Sequence, residues 1–419
     1  QQDLEKDGVE IDWDQLQGKA VVKETPWNPF GQGGRMEPRR EKMPGGKAKG
    51  LASSQSSVVG LVVVTLGNGK HAGAAAEIIA TALREEGVKG VEFKIDQKVG
   101  DMMGNSLKSI RDYLRVTYEP KEMVPDGYQV SIVFQDRDQR VDGPSAGTAM
   151  ALMLDALFSG EKIDDEFACT GGITPNGKVT SIGGVAAKIR GATRRKCRIV
   201  GVPDGNAKGV NDILVLDGIQ PLLDIQIFTM KDMDDARALS RAEKDKDVQS
   251  TLDDFKSVAD VITEQGDAAL NNNRVQERLE EVLKKMPNHI SAQLLLDHIR
   301  EKASEQLSVG GSFHEIDSRA SGVFSRVQRM MFREKFSEGA AARTDAEDAR
   351  KELAELDGKV HEKFGDYHSA AIDLCQTIEE GIQDGEKEFL KTLKSKWAKI
   401  SSIRKKLRDD PEIFEEIRG

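Results

Sequence analysis

"RVDGPSAGTAMALMLDAL", residues 140–157, presents one serine, Ser145, directly after a proline and between two glycines. Proline suits the first turn of a helix, because the amide hydrogen it lacks would have no intrahelical acceptor there. Gly143 and Gly147 let the backbone come close to a ligand or to another segment. The following residues carry an apolar face at Ala149, Leu152, Met153, Ala156 and Leu157 and stop at Gly160, which predicts a helix closed by glycine. A helix start offers unpaired amides and partial positive charge. That environment suits an oxyanion formed in acyl transfer. By itself, a small-residue turn into a helix is most often structural, so Ser145 needs a base before it reads as a nucleophile.

Outward from this turn, the six histidines do not supply that base. His71 lies in a glycine-rich loop, and His289, His298, His314, His361 and His368 lie in the charged C-terminal region. Each reads as a solvated or locally bonded imidazole, and no pair has the spacing and acidic companion of a zinc protease site. A lysine can serve if it is uncharged near neutral pH, about two to three pH units below its usual pKa. Burial away from carboxylates has that effect. Lys188, in "SIGGVAAKIRGATRRK", fits the requirement. Its helical neighbours are Gly184, Val185, Gly191 and Ala192, and no acidic residue occurs between Glu166 and Asp204. An ordinary surface lysine on a short helix is the plainer alternative at this point. Arg194, Arg195 and Lys196 crowd the far end and read as solvated.

The pattern around both residues alternates strands and helices from 56 to 237. "SVVGLVVVTL", "GVEFKI", "YQVSIVF", "CRIVGVP" and "LDIQIFTM" are predicted strands, and "GAAAEIIATALREEG" (73–87) is predicted as a helix. The expectation is one compact α/β (α+β) domain. Residues 1–55 read as a flexible arm rich in Gly, Pro and charge, with Trp13, Trp27 and Phe30 able to dock elsewhere. Residues 238–419 read as an all-α domain, a bundle or a tetratricopeptide-like array. Its first pair of helices flanks the Pro287-Asn288 turn, with a stripe at Val275, Leu279, Val282, Leu283 and Met286. No second copy follows at a fixed period. Later, Leu393, Trp397, Ile400 and Leu407 recur at heptad-like spacing. The basic stretch "KTLKSKWAKISSIRKKLR" reads as the solvated face of a bundle helix rather than a membrane or nucleic-acid contact.

Three motifs in order, "QKVGDMMGNS" (97–106), "DGPSAG" (142–147) and "TGGITPNGKVTSIGGVAAK" (170–188), resemble the proteolytic domain of Lon proteases. The resemblance covers about 56–237 and implies a Ser-Lys dyad. Ser145 would be the nucleophile and Lys188 the base, 43 residues apart as in that family. It further implies that Thr170 supports the lysine, and that the backbone around Asp142, Gly143 and Ala146 contributes to the serine turn and oxyanion site. Gly172 and Val141 depart from the acidic and basic residues common at those places, and a helix at 71–87 would depart from the usual hairpin-rich start. "GITPNGKVT" fits a phosphate-binding loop from Gly172 to Lys178, but Val179 stands where a magnesium-binding Ser or Thr is needed. Pro175-Asn176-Gly177 instead predicts a hairpin. No other stretch reads as a nucleotide site, so the unfoldase module usual in Lon proteases is expected to be absent.

A net charge of −10 argues against a dedicated nucleic-acid binder. No apolar run is long enough to span a bilayer. Cys169, Cys197 and Cys375 are too few and too uneven in number for a disulfide framework and are expected as free thiols. A Gln-Gln start fits removal of a signal peptide, and export is favoured over a cytoplasmic place. The expectation is therefore a serine endopeptidase needing no ATP, metal or cofactor. It would act on polypeptides with unfolded or exposed segments, as a homo-oligomer or with a protein partner on its helical domain. The alternative is a binding or assembly protein whose helical region recruits a partner and whose protease fold is a weak or inactive scaffold.

Overall fold

In the computed structural model, the described residues are 40–43, 45, 50–65, 71–96, 100–135, 143–333, 340–382 and 385–417. Asp142, Val141, Trp13, Trp27 and Phe30 lie outside them. Ten strands are present in this set: β1 (Arg40–Met43), β2 (Gln55–Thr65), β3 (His71–Arg84), β4 (Val91–Ile95), β5 (Tyr128–Phe134), β6 (Phe167–Cys169), β7 (Gly172–Ile173), β8 (Val179–Thr180), β9 (Ile199–Pro203) and β10 (Gln226–Met230). Eight form one mixed sheet in the order β1-β4-β5-β3-β2-β6-β9-β10, and β7 and β8 pair as a separate hairpin. The β2–β6–β9–β10 half is parallel. Its crossovers are helical, as parallel neighbours require.

The sheet's two faces carry different helices. Val58, Ile78, Ala80 and Phe93 pack with the Asp101–Tyr118 helix and with the Gly147–Ser159 helix that follows Ser145. Val59, Leu61, Val200 and Ile227 face the Val185–Arg194 helix that carries Lys188, together with Val210, Phe255, Leu279 and Leu295 from later helices. Burying one such side chain is worth about 1.5–3 kcal/mol. The helices over Lys246–Gln265, Asn273–Lys285 and Ile290–Ile299 thus cover a face of the sheet. His289 sits between the rings of Phe228 and Phe255 at that junction, and complete burial lowers its pKa to about 3. A third core, with Phe313, Phe324, Tyr367, Leu393 and Ile400, gathers the helices from Val309 onward. Of the heptad-spaced residues there, Leu393, Ile400 and Leu407 are buried, while Lys391, Lys394, Lys399, Lys405 and Lys406 face solvent.

The segment 73–87, predicted helical, is instead strand as far as Arg84, the bulk of the long central β3, hydrogen-bonded to β2 on one side and β5 on the other. Its alanines favour a helix locally, but two flanking strands supply ladder partners that local propensity does not register. Packing explains the small residues. A Cβ on Gly73 would lie 1.6 Å from the Ala187 carbonyl oxygen, and one on Gly191 would lie 2.7 Å from the Ala74 nitrogen. The Lys188 helix therefore rests backbone-on-backbone against β3. With β2 and β3 joined as an antiparallel pair, the hairpin-rich start is present after all, and His71 begins a strand rather than lying in a loop. The arm predicted over 1–55 is also partly structured, because β1 adds to the sheet edge through β4.

Candidate active site

Gly143 has φ of +114°, a backbone state that a side chain would strain, while nothing lies within 4 Å of where its Cβ would be. Conformation, not crowding, requires glycine there. Pro144 then opens a single 3-10 turn, Pro144–Ala146, which runs into the Gly147–Ser159 helix. Ser145 sits half-buried in that turn. Its carbonyl oxygen accepts from the Gly171 N–H at 2.8 Å and from the Thr170 hydroxyl at 3.1 Å. One turn on, Thr148 donates its N–H to the Gly171 carbonyl at 2.9 Å and its hydroxyl to the Gly172 carbonyl at 3.0 Å. The serine turn is thus stitched to the end of β6. The Thr170 N–H anchors that end by donating to the Gly201 carbonyl on β9 at 3.1 Å.

The helix behind the turn is fixed just as firmly. Asp155 is fully buried and accepts from the Tyr118 hydroxyl at 2.7 Å and from Arg237 Nε at 3.0 Å and Nη2 at 2.7 Å. Arg241 also pairs with it. A buried carboxylate with several donors stays ionised, and its pKa remains below the ordinary value although burial pushes the other way. Neither Thr148 nor the Asp155 network is evident from the sequence. Thr148 lies inside the serine motif, but its acceptors are set by the distant β6–β7 segment.

Lys188 lies on the Val185–Arg194 helix and is only 2% exposed, which excludes the surface-lysine alternative. Its backbone N–H closes on Gly184, which caps the helix in the left-handed conformation at φ +66°. Among the described residues no hydrogen bond or ion pair of its ammonium is present, and burial alone lowers its pKa from 10.5 to about 7. The acid-free stretch from 167 to 203 has the consequence expected of it. Strand β2 packs against both the serine turn and the lysine helix. Thr170, fully buried at the end of β6, holds the serine backbone.

The Gly172–Lys178 stretch forms β7 and the turn of the β7–β8 hairpin, where the Thr174 N–H donates to the Lys178 carbonyl and the Lys178 N–H to the Thr174 hydroxyl. All three cysteines are free and buried. Among the described residues no cluster of His, Cys, Asp and Glu is placed to hold a metal, and no helix is long and apolar enough to cross a membrane.

The proteolytic motifs and their surroundings agree with known proteins. Residues 46–237 match the family model described as the Lon protease (S16) C-terminal proteolytic domain. Lon protease 1 of Herpetosiphon aurantiacus is 34% identical over 124 residues, 29% of this chain and 15% of that protein. Lon protease 1 of Bacillus subtilis is 34% identical over 119 residues, 28% of this chain and 15% of that protein. The Lon protease of Desulforamulus reducens is 27% identical over 185 residues, 43% of this chain and 22% of that protein. The match therefore spans less than a quarter of the length of these relatives. A serine turn locked to β6, a buried lysine on the opposite helix and this match together assign residues 46–237 as a Lon-type proteolytic domain.

Proposed function

We propose that this domain hydrolyses peptide bonds with Ser145 as nucleophile and Lys188 as general base. The Ser145 hydroxyl adds to the substrate carbonyl carbon while its proton passes to the neutral Lys188 amine. The resulting ammonium protonates the leaving amine, and a water activated by the same amine then releases the acyl group. The observation that carries this reading is the buried lysine, whose pKa of about 7 provides a neutral amine at working pH. Thr170 holds the turn through the Ser145 carbonyl, and its oxygen retains a lone pair for the lysine ammonium.

The oxyanion falls to amides at the start of the turn. The Gly147 N–H is engaged by the Pro144 carbonyl and that of Thr148 by Gly171. Upstream of these lie the amides of Gly143, Ser145 and Ala146, since Pro144 has none. Asp142 is proposed to complete the turn. Cleavage is proposed to proceed without nucleotide, on unfolded polypeptides or exposed segments, a reading supported by the hairpin that the phosphate-loop-like stretch forms. A fluorescently labelled unfolded protein, incubated without nucleotide, tests the proposal. The native chain cleaves it, and Ser145→Ala and Lys188→Met do not. Cleavage that persists in Ser145→Ala, or degradation that depends on ATP, contradicts it.

A further inference from the structure

The lysine helix meets β3 through glycine and alanine, Arg194 near its end donates to the Gly73 carbonyl, and Val185 and Ile189 anchor its inner side in the core beside Leu61 and Val200. Its other side meets two helices, Ala207–Asp217 and Val309–Arg333, around a cavity of about 650 Å³. Apolar packing closes one end of that space, where Val185 lies against Gly209. Charged contacts bridge the rest. Arg190, two residues beyond Lys188, donates Nε to Asp217 Oδ2 at 2.7 Å, Nη2 to Asp217 Oδ1 at 3.1 Å and Nη1 to Glu315 Oε1 at 3.0 Å. Glu315 is 12% exposed and is itself held by Arg319 at 3.2 Å. The helix carrying Glu315 is seated in turn by Asp212, which accepts from the Ser308 N–H at 2.7 Å and the Ser308 hydroxyl at 2.8 Å. A Cβ on Gly311 would lie 2.0 Å from Asp212 Oδ2, so only glycine permits that seating.

We infer that Arg190 and Glu315 are positioning residues for the dyad, through which the C-terminal helices set the register of the lysine helix and keep Lys188 out of water. The inference rests on the dyad proposed above. A forked guanidinium spanning two carboxylates on two different elements fixes direction as well as distance. Without the clamp the solvent side of the lysine helix loosens from the C-terminal helices, and water reaches Lys188.

The sign of one measurement separates this role from simple electrostatics. Removing a carboxylate near a lysine lowers the lysine's pKa by charge alone, whereas hydration of the amine raises it. The experiment is a ¹³C-lysine NMR titration of Lys188 in the full chain with Ser145→Ala, assigned by its loss in Lys188→Met. It is run with and without Glu315→Gln, with kcat and KM measured in the corresponding active proteins. Asp212 also titrates near 7, so the lysine resonance, not the rate profile, gives the pKa. The clamp predicts that Glu315→Gln moves the Lys188 midpoint up by about one pH unit and lowers kcat at neutral pH about fivefold with KM little changed. Arg190→Lys, which keeps charge but loses the fork, falls between. A Lys188 midpoint that falls or stays in Glu315→Gln overturns the inference. If Lys188 titrates near 7 and responds as predicted while the native chain shows no Ser145-dependent cleavage, the dyad fails and the clamp stands.

Discussion

Replacing Lys188 by Met removes the base and relieves a buried amine at once, so it should abolish cleavage while stabilising the fold. Folded Lys188 releases its proton near 7 instead of 10.5. At about 1.36 kcal/mol per pH unit, the gap corresponds to roughly 4–5 kcal/mol withheld from stability at neutral pH and below. Below pH 7 the folded and unfolded chains both hold the proton, and the full cost stands. Between 7 and 10.5 only the unfolded chain holds it, so the cost shrinks by about 1.4 kcal/mol for each pH unit. Above 10.5 neither state holds it, and the cost is gone. Methionine nearly matches lysine in length and adds only a packing offset independent of pH. Urea unfolding of the two proteins across this window, both with Ser145→Ala to prevent self-digestion, gives the difference at each pH. The Met variant should be the more stable by several kcal/mol near neutrality and by about 2 kcal/mol near pH 9. A difference that stays flat across the window would refute a lysine buried in neutral form, whatever its effect on activity.

The native enzyme's kcat/KM should rise with pH through about 7 as Lys188 loses its proton, a limb read from initial rates on a fluorogenic peptide. Thr170→Val keeps the shape but removes the hydrogen bond to the Ser145 carbonyl. It should cost about 1 kcal/mol of stability by urea titration and lower kcat more than it raises KM. Gly191→Ala places a Cβ within 2.7 Å of the Ala74 nitrogen. It should destabilise by about 1–3 kcal/mol in thermal unfolding, despite alanine's better helix propensity. Asp212 has its pKa raised from 3.8 to about 7 by burial. Between those values the unfolded chain loses a proton that the folded chain keeps, so this group's contribution declines as pH rises and is lost above about 7. Asp212→Asn should remove that slope from the stability profile.

The serine turn was legible because its determinants are local: Pro144 opens the turn, Gly143 takes a positive φ, and the apolar period from Ala149 onward names the helix. Lys188 was legible for a different reason. Acidic residues are absent over a long stretch of chain around it, so no sequence neighbour can supply a carboxylate. What the sequence could not yield are pairings between segments far apart, such as Thr170 with the Ser145 carbonyl, Arg237 with Asp155, and Arg190 with Glu315. Each partner looks alone like a solvated charge or an ordinary turn residue. The helical region shows the same limit. Its apolar stripes predicted helices over 274–303, but not that they would close over β9 and β10.

The misread strand carries the deeper point. Alanines and a glycine in β3 look like helix formers with a weak spot, because propensity is judged one segment at a time. Their purpose emerges only with the opposing helix, where Gly184, Ala187 and Gly191 are equally small. Two smooth surfaces approach until their backbones touch, and little room for water is left between them. Lys188 belongs to such a helix and is 2% exposed, and burial with no carboxylate nearby lowers its pKa to about 7. A larger residue at Gly73 would force the helix outward, since its Cβ would overlap the Ala187 carbonyl. Gly73→Val should therefore raise the Lys188 pKa toward 10.5 while Ser145 and Thr170 stay in place. ¹³C-lysine titration would show it, and a fold that tolerates valine there with Lys188 still near 7 would refute the link between small residues and the neutral base.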